Sequence, residues 1–542
     1  MGFAKLRSGA LSGIDAIPVR IEADVSRRGD PQTVIVGLPD AAVKESQHRV
    51  WTAIANSGYG DLRGHTTVNL APADVRKDGS LFDLPIAVAL LLATNLDDRE
   101  DALRERAAGP GAGPSVSGAP DAVRDGLSPS TTAFAGELSL EGRVCPVKGI
   151  LPLAAGLKAA GVRAFVVPAE NAAEAAVVSG LDVYPVRSLR QAFDLVTGAD
   201  GGRTRPLRAS TEFAFASDVS GLPDFADVKG QEMAKDAIAV AVAGGHNILM
   251  VGPPGTGKSM IARRIPSILP PMSLDEAIEC TKIHSIAGLV PPGSSLLRER
   301  PFRAPHHTVS DVALVGGGAH PSPGEVTLAH GGVLYLDELP EFGRNALEVM
   351  RQPLEDGFVV VSRAAGTARF PARFMLVAAM NPCPCGYYGD PNRPCRCSRT
   401  QVQRYRSRIS GPLLDRIDLH IAVPALRAQD LQSMPPGRSS AELRERVLRA
   451  RAAQARRFAG RPGVRTNASM QRRDIEEFCH MDDECLQVMN FALTRLGFSP
   501  RSHDRILKVA RTVADIAGRE NIAACDIQSA VSWRELDRTL WT

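Results

Sequence analysis
The run from Asn247 to Arg264 constrains this chain more than any other. Asn247-Ile-Leu-Met-Val251 is a short apolar stretch. It passes without a break into Gly252-Pro253-Pro254-Gly255-Thr256-Gly257-Lys258-Ser259, and then into Met260-Ile-Ala-Arg-Arg. The order predicts a buried strand, a glycine-rich loop and a helix. Glycines permit backbone angles that aim successive N–H groups at phosphate oxygens, and the helix start adds its positive dipole end. In such a loop Lys258 reaches β- and γ-phosphates and the Ser259 hydroxyl ligates Mg²⁺. A unit of this kind belongs in a parallel sheet, so the expected fold class is α/β.

The loop has partners elsewhere in the chain. Val333-Leu-Tyr-Leu-Asp337-Glu338 is an apolar strand ending in two carboxylates. Asp337 suits the Mg²⁺ shell and Glu338 suits a general base on the attacking water. Phe374-Met-Leu-Val-Ala-Ala-Met-Asn381 is a second strand, ending in an amide that can orient water. Gly411-Pro-Leu-Leu-Asp-Arg416-Ile-Asp418 ends a helix with an arginine, and Ser499-Pro-Arg501 opens another. An arginine supplied by a neighbouring subunit can neutralise the charge that develops in phosphoryl transfer. The expected ligands are therefore ATP and Mg²⁺.

A chain of 542 residues is too long for one core, and about 150 residues per domain predicts three or four units. Lys and Arg number 64 against 60 Asp and Glu, a net charge of +4 that does not by itself indicate nucleic acid. No apolar run reaches the roughly 18 residues of a membrane helix, and Pro85 to Leu96 is the length of a core helix. The first residues lack the long apolar segment of an export signal, so the expected location is the cytoplasm, with no membrane partner. Residues 107–131 are rich in Ala, Gly, Pro and Ser and read as a disordered insert. Residues 198–215 read as a linker, from the Gly- and Arg-rich 198–209 onward. The expected domains are 1–197, an α/β unit; 216–423, the nucleotide core; and 424–542, a helical region. Its first helix carries Arg444, Arg446, Arg449, Arg451, Arg456 and Arg457, read as a solvated face.

Four of the nine cysteines form two C-x-C pairs, Cys383-Pro-Cys385 and Cys395-Arg-Cys397, across a Gly/Pro-rich spacer. Four thiolates suit tetrahedral Zn²⁺, and the spacer can turn the chain back. The other five read as small packed hydrophobes. His306 and His307 suit metal ligation or base contacts, but read first as structural, hydrogen-bonding residues of their loop.

Together the segments Gly252–Ser259, Pro301-Phe-Arg-Ala-Pro-His-His307, Val333–Glu338, Ala379-Met-Asn-Pro-Cys-Pro-Cys-Gly386, Gly411–Asp418 and Ser499–Arg511 resemble the magnesium-chelatase-like AAA+ family of the YifB/ComM type. The resemblance covers the chain apart from the 107–131 insert. It implies that Asn381 is sensor 1, Arg416 a finger acting in trans and Arg501 sensor 2 on a helical lid. It implies hexameric rings and DNA as a partner, single-stranded or branched, in helicase or branch-migration work during transformation or recombination. The first domain resembles the Lon protease type of fold in Val68–Ser80 and Gly136–Gly149. In that alignment Leu81 and Leu151 stand where the Ser–Lys dyad belongs, while Ser80 and Lys148 are out of register. A non-proteolytic module follows, because a serine without its base is a weak nucleophile.

Two other classes fit the same motifs. One is a chelatase-like protein-remodelling ATPase, and the other is a scaffold gated by slow hydrolysis. A last feature favours DNA. Phe358 to Ser362 has strand composition, Ala364-Ala-Gly366 suits a turn, and Thr367 to Phe370 can return antiparallel. Such a hairpin would carry Arg363 at its tip, suited to phosphates rather than to bases.

Overall fold
A computed structural model describes residues 2–26, 32–60, 64–94, 126–208, 221–318, 321–363, 366–390, 393–426, 434–495, 500–534 and 536. Two compact units emerge: Met1–Ala214 with Ala277–Leu297, and Phe215–Glu276 with Arg298–Thr542.

The first unit is built on a seven-stranded mixed sheet. Its centre is a hairpin in which Gly2–Ser12 runs antiparallel to Asp15–Ser26, paired from Gly2↔Val25 to Ser12↔Asp15. Alternation with period two explains it: Ala4, Leu6 and Ala10 point into the core, while Phe3 and Lys5 point out. His65–Ala71 and then Gln32–Val36 extend the sheet on one side. Thr132–Phe134, Ala164–Pro168 and Asp182–Val186 extend it on the other. The helix Ile150–Ala159 packs on the hairpin through Ile150, Leu153, Ala154 and Leu157. Leu81 and Leu151 are core residues, whereas Ser80 Oγ donates to Glu137 and Lys148 is exposed.

Three expected boundaries change. The insert ends before residue 126, because the Leu127 N–H donates to Leu195 O at 3.0 Å and its side chain packs on the core. Residues 107–125 lie outside the described residues. The linker does not begin at 198: Leu207 pairs with Val183 in both directions, at 2.7 and 3.0 Å, and Arg208 meets Asp182 at 2.6 Å. The strand Asp182–Val186 ends the sheet, and its open N–H and C=O groups take the next extended residues of the chain. Residues 209–215 of the expected linker lie outside the described residues. Finally, 277–297 belongs to the first unit, not to the nucleotide core. There Ser285 O accepts from the Gly149 N–H at 3.1 Å, and Ser285 Oγ donates to the buried Glu174 carboxylate. Burial pushes that carboxyl above its ordinary range, while the hydroxyl and the Leu151 N–H pull it back.

The second unit carries a five-stranded parallel sheet in the order Phe302–Arg303, Val333–Leu336, Met375–Met380, Ile248–Val251, Leu419–Ala422. The three middle strands are buried throughout, which is why their sequences are unbroken apolar runs rather than alternating ones. The helices after residue 434 fall in the same compact unit as this sheet. Leu443, Val447, Ile506, Leu507 and Ala510 share one core with Ile248, Met250 and Ile261. The arginines of the Ser440–Arg457 helix serve that packing. Arg446 pairs with Asp236 at 2.8 Å, Arg457 with Asp515 at 2.5 Å, and Arg451 donates to Val242 O at 2.9 Å. That helix is therefore not the wholly solvated face its composition suggests; Arg449 and Arg456 are the ones that stay exposed. Among the described residues no helix is long and apolar enough to cross a membrane.

Candidate nucleotide site
Parallel strands bring their carboxyl ends to one edge, and ligands of such sheets bind there. Val251, Leu336 and Met380 each end a strand at that edge, so the residues that follow them meet. The loop 252–257 leads into the helix Lys258–Ile268. Gly257 adopts φ 91°, which an L side chain rarely does, and so turns the chain into the helix. Lys258 is buried and donates to Gly252 O at 2.7 Å, Pro253 O at 2.8 Å and Asn381 Oδ1 at 3.2 Å. Burial lowers its ammonium to about 8, against the raising pull of Asp337 and Glu338. Ser259 Oγ donates to Asp337 Oδ2 at 2.7 Å. The hydroxyl and carboxylate that the sequence assigns to Mg²⁺ are thus in contact, and hard oxygen donors of this kind suit that ion.

Glu338 stands at φ 52°, ψ 47°, a left-handed conformation that costs a non-glycine residue on the order of 1 kcal/mol. Its carboxylate lies 3.3 Å from His307 Nδ1. Sequence reading did not place His307 beside Glu338. Its proximity to Glu338 comes from Phe302–Arg303 pairing in parallel with Val333 and Leu334, which carries both chain ends to the same edge.

The cysteines follow Asn381 directly. Among Cys383, Cys385 and Cys395 the sulfurs stand 3.4, 3.6 and 3.7 Å apart, and all four lie within 4.8 Å of one another. Tetrahedral Zn²⁺ with Zn–S near 2.3 Å needs sulfurs roughly 3.8 Å apart, so the donor set fits. The Tyr387 and Arg396 N–H groups hold Cys385 down to about 6, while burial pushes Cys383 up to about 12. Gly386 rests on the loop: a Cβ there would stand 2.6 Å from Pro254 Cδ. Arg406 Nε donates to Pro382 O at 3.1 Å, bracing the same turn.

Arg416, expected to act in trans, does not lie at the loop of its own chain. Asn247 Nδ2 donates to Arg416 O at 2.9 Å, and the Asn247 N–H donates to Asp418 Oδ2 at 3.0 Å. Asn247 precedes the strand whose far end enters the loop, five residues and about 16 Å away at ~3.3 Å per residue. Arg505 Nε is 4.0 Å from Asp418 Oδ1, and Arg501 occupies the first turn of the same helix, Pro500–Ile516. Burial would raise the Asp418 carboxyl, but His246, Arg505 and the Asn247 N–H bring it down to about 2. Arg416 therefore lies at the opposite end of the sheet from the loop of its own chain.

Comparison with known proteins agrees with this geometry. The magnesium chelatase subunit ChlI family matches residues 224–431, its C-terminal family matches 437–534, and a further ChlI family matches 21–105 and 122–171. The chain is 40% identical to competence protein ComM of Haemophilus influenzae over 545 residues, covering 100% of this chain and 99% of that protein. It is 38% identical to YifB of Escherichia coli, covering 100% and 98%. The magnesium-chelatase 38 kDa subunit of Rhodobacter capsulatus is 28% identical over 207 residues, 35% of this chain and 54% of that protein.

Proposed function
The chain belongs to the magnesium-chelatase-like YifB/ComM family, whose AAA+ core implies an ATPase, and from that premise we propose that it is a ring-forming motor that moves DNA. In this reading Gly252–Ser259 cradle the phosphates, Lys258 leaves its loop carbonyls for the β- and γ-phosphates, and Ser259 with Asp337 holds Mg²⁺. The bound ion neutralises charge on the phosphate oxygens. Glu338 takes the proton of the attacking water, and Asn381 orients that water beside Lys258. Arg416, remote from its own loop, serves the nucleotide of a neighbouring subunit, and Arg501 is sensor 2 on the helical lid. A relative named for competence supports DNA as the substrate.

The observation that carries DNA is the hairpin. Phe358–Arg363 pairs antiparallel with Gly366–Pro371, from Phe358↔Pro371 to Arg363↔Gly366. Arg363 thus closes the ladder at the turn, and Arg369 is stacked on the Phe358 ring at 3.7 Å. The hairpin stands between the Val333–Leu336 strand and Asn381 in the chain. A ring would present one Arg363 per subunit, a sequence-neutral grip on phosphates. Single-stranded or forked DNA is expected to stimulate steady-state ATPase. Arg363→Ala should keep the basal rate, lose the stimulation and bind DNA with a salt slope about one unit shallower. Unchanged affinity and stimulation would move the grip to another surface, and a wild type indifferent to DNA would favour the chelatase-like remodelling role.

The cysteine cluster is proposed to hold structural zinc. Purified protein should contain about one zinc per chain by elemental analysis. The double variant Cys385→Ser, Cys397→Ser should lose it and unfold at lower temperature. Metal-free wild type with full thermal stability and activity would end this assignment.

A further inference from the structure
We infer that Glu355 is a positioning residue that holds the Arg416 guanidinium in a withdrawn seat and releases it when the adjoining hairpin moves. The inference rests on the reading of Arg416 as the arginine that serves a neighbour's nucleotide. Arg416 Nη2 is ion-paired with Glu355 Oε2, and its Nη1 donates to Pro412 O at 2.6 Å. The two side chains differ in exposure: that of Arg416 is 14% exposed and that of Glu355 is 65% exposed. The carboxylate is the solvent-side partner of a mostly buried cation. Arg416 Nε is buried with no hydrogen-bond partner. A guanidinium with an unspent buried donor is not in its best seat, because an unmade hydrogen bond of a buried charged group is costly. A group in that condition moves when a richer acceptor comes within reach, and a triphosphate carries more negative charge than one carboxylate.

The chain ties this pair to the hairpin. Glu355 lies on the short helix Arg351–Asp356, which stops at Gly357 with φ 72° and passes directly into Phe358–Arg363. Val359 and Val360 of that strand line one cleft of about 490 Å³ together with Glu355, Arg416, Val315 and Val349. The wall that bears the hairpin and the carboxylate that holds the arginine are therefore one continuous piece of backbone. A pull on the hairpin tip displaces Glu355 relative to Pro412, which sits on a different helix, Gly411–Leu414, and the two acceptors of Arg416 separate. A ligand shifts such an equilibrium by its differential affinity for the two seats. Load on the hairpin and phosphate at the interface then act in the same direction.

The test uses the full-length protein in its assembled state, with ATPase measured with and without single-stranded DNA. Glu355→Gln keeps the shape and removes the charge. It is expected to raise the DNA-free rate by about twofold to fivefold, the range open to a partly exposed ion pair. The ratio of DNA-stimulated to DNA-free rate should fall by the same factor, while Glu355→Asp should stay close to wild type in both. Thermal unfolding of all three should coincide, since the residue is largely exposed. A DNA-free rate in Glu355→Gln equal to or below wild type overturns the inference. So does a rise that persists in the double variant Glu355→Gln, Arg416→Ala, because the effect would then not pass through the arginine. Full ATPase in Arg416→Ala alone is a different failure: it removes the arginine's catalytic role itself, whatever Glu355 does.

Discussion
Glu338→Gln is expected to bind ATP as wild type does and to lose turnover by about 10²–10⁴-fold. The amide has the same shape and still fills the place beside His307, but it cannot accept a proton from water. Nothing in the cradle changes: Lys258, Ser259 and Asp337 keep their contacts, so affinity should hold. The strained φ of 52° belongs to the backbone and survives the substitution. Lys258→Ala should behave differently and weaken nucleotide binding itself, since it removes the cation that is desolvated at the phosphate position. Binding is read from a fluorescent nucleotide and turnover from phosphate release. Near wild-type hydrolysis by Glu338→Gln would show that another group takes the proton.

The residues of this site were legible in the sequence because each is tied to a local pattern. An apolar run, a set of glycines and a helix start lie side by side from Asn247 to Arg264, so strand, loop and helix follow without knowledge of the rest of the chain. Asp337, Glu338 and Asn381 could be found because each directly ends an apolar run. The hairpin 358–371 was legible for the same reason, from strand composition on both sides of a short turn. By contrast, the first strand pair, Gly2–Ser26, leaves little mark, although its period is two. The residues it buries include Ala4, Ser8 and Ala10, too small to stand out as hydrophobic, and the bulky Phe3 faces out.

What escaped sequence reading is contact made at long range. His307 reaches Glu338 only because the sheet order places Phe302–Arg303 beside Val333–Leu336. Gly386 meets Pro254 only because the cysteine turn folds back over the loop. The boundary errors have one cause. Gly- and Arg-rich composition marks 198–209 as a linker, yet an open sheet edge needs little more than a single pairing residue, Leu207, to capture the stretch before it. The stretch 277–297 looks like part of the nucleotide core because it lies within it in sequence, but the buried carboxylate that takes up Ser285 is Glu174, which is 111 residues away.

Arg416→Ala should lower ATPase by about 10³-fold or more, the scale of removing an arginine that meets the transferring phosphoryl group. The geometry decides which nucleotide it meets. Its backbone is fastened to Asn247, at the start of the strand whose other end forms the phosphate loop, and an arginine side chain spans less than half that separation. It cannot reach its own chain's loop from this seat, which is why the proposal gives it the nucleotide of a second copy. That makes the defect complementable. Lys258→Ala chains keep a sound arginine and Arg416→Ala chains keep a sound loop. In rings mixed at equal amounts, about one interface in four joins the sound loop to the sound arginine, the consequence of head-to-tail contacts in a closed ring. Each variant alone should be inactive, and the mixture should recover up to about a quarter of wild-type ATPase. Mixing must be verified by tags on the two chains, so that a silent mixture has one meaning. Rings proven mixed yet inactive would exclude a shared site at Arg416. Arg404 would then be tested, and after it Arg408, which is held by Glu341 at 2.7 Å, while the buried Arg406 is already spent on Pro382 O.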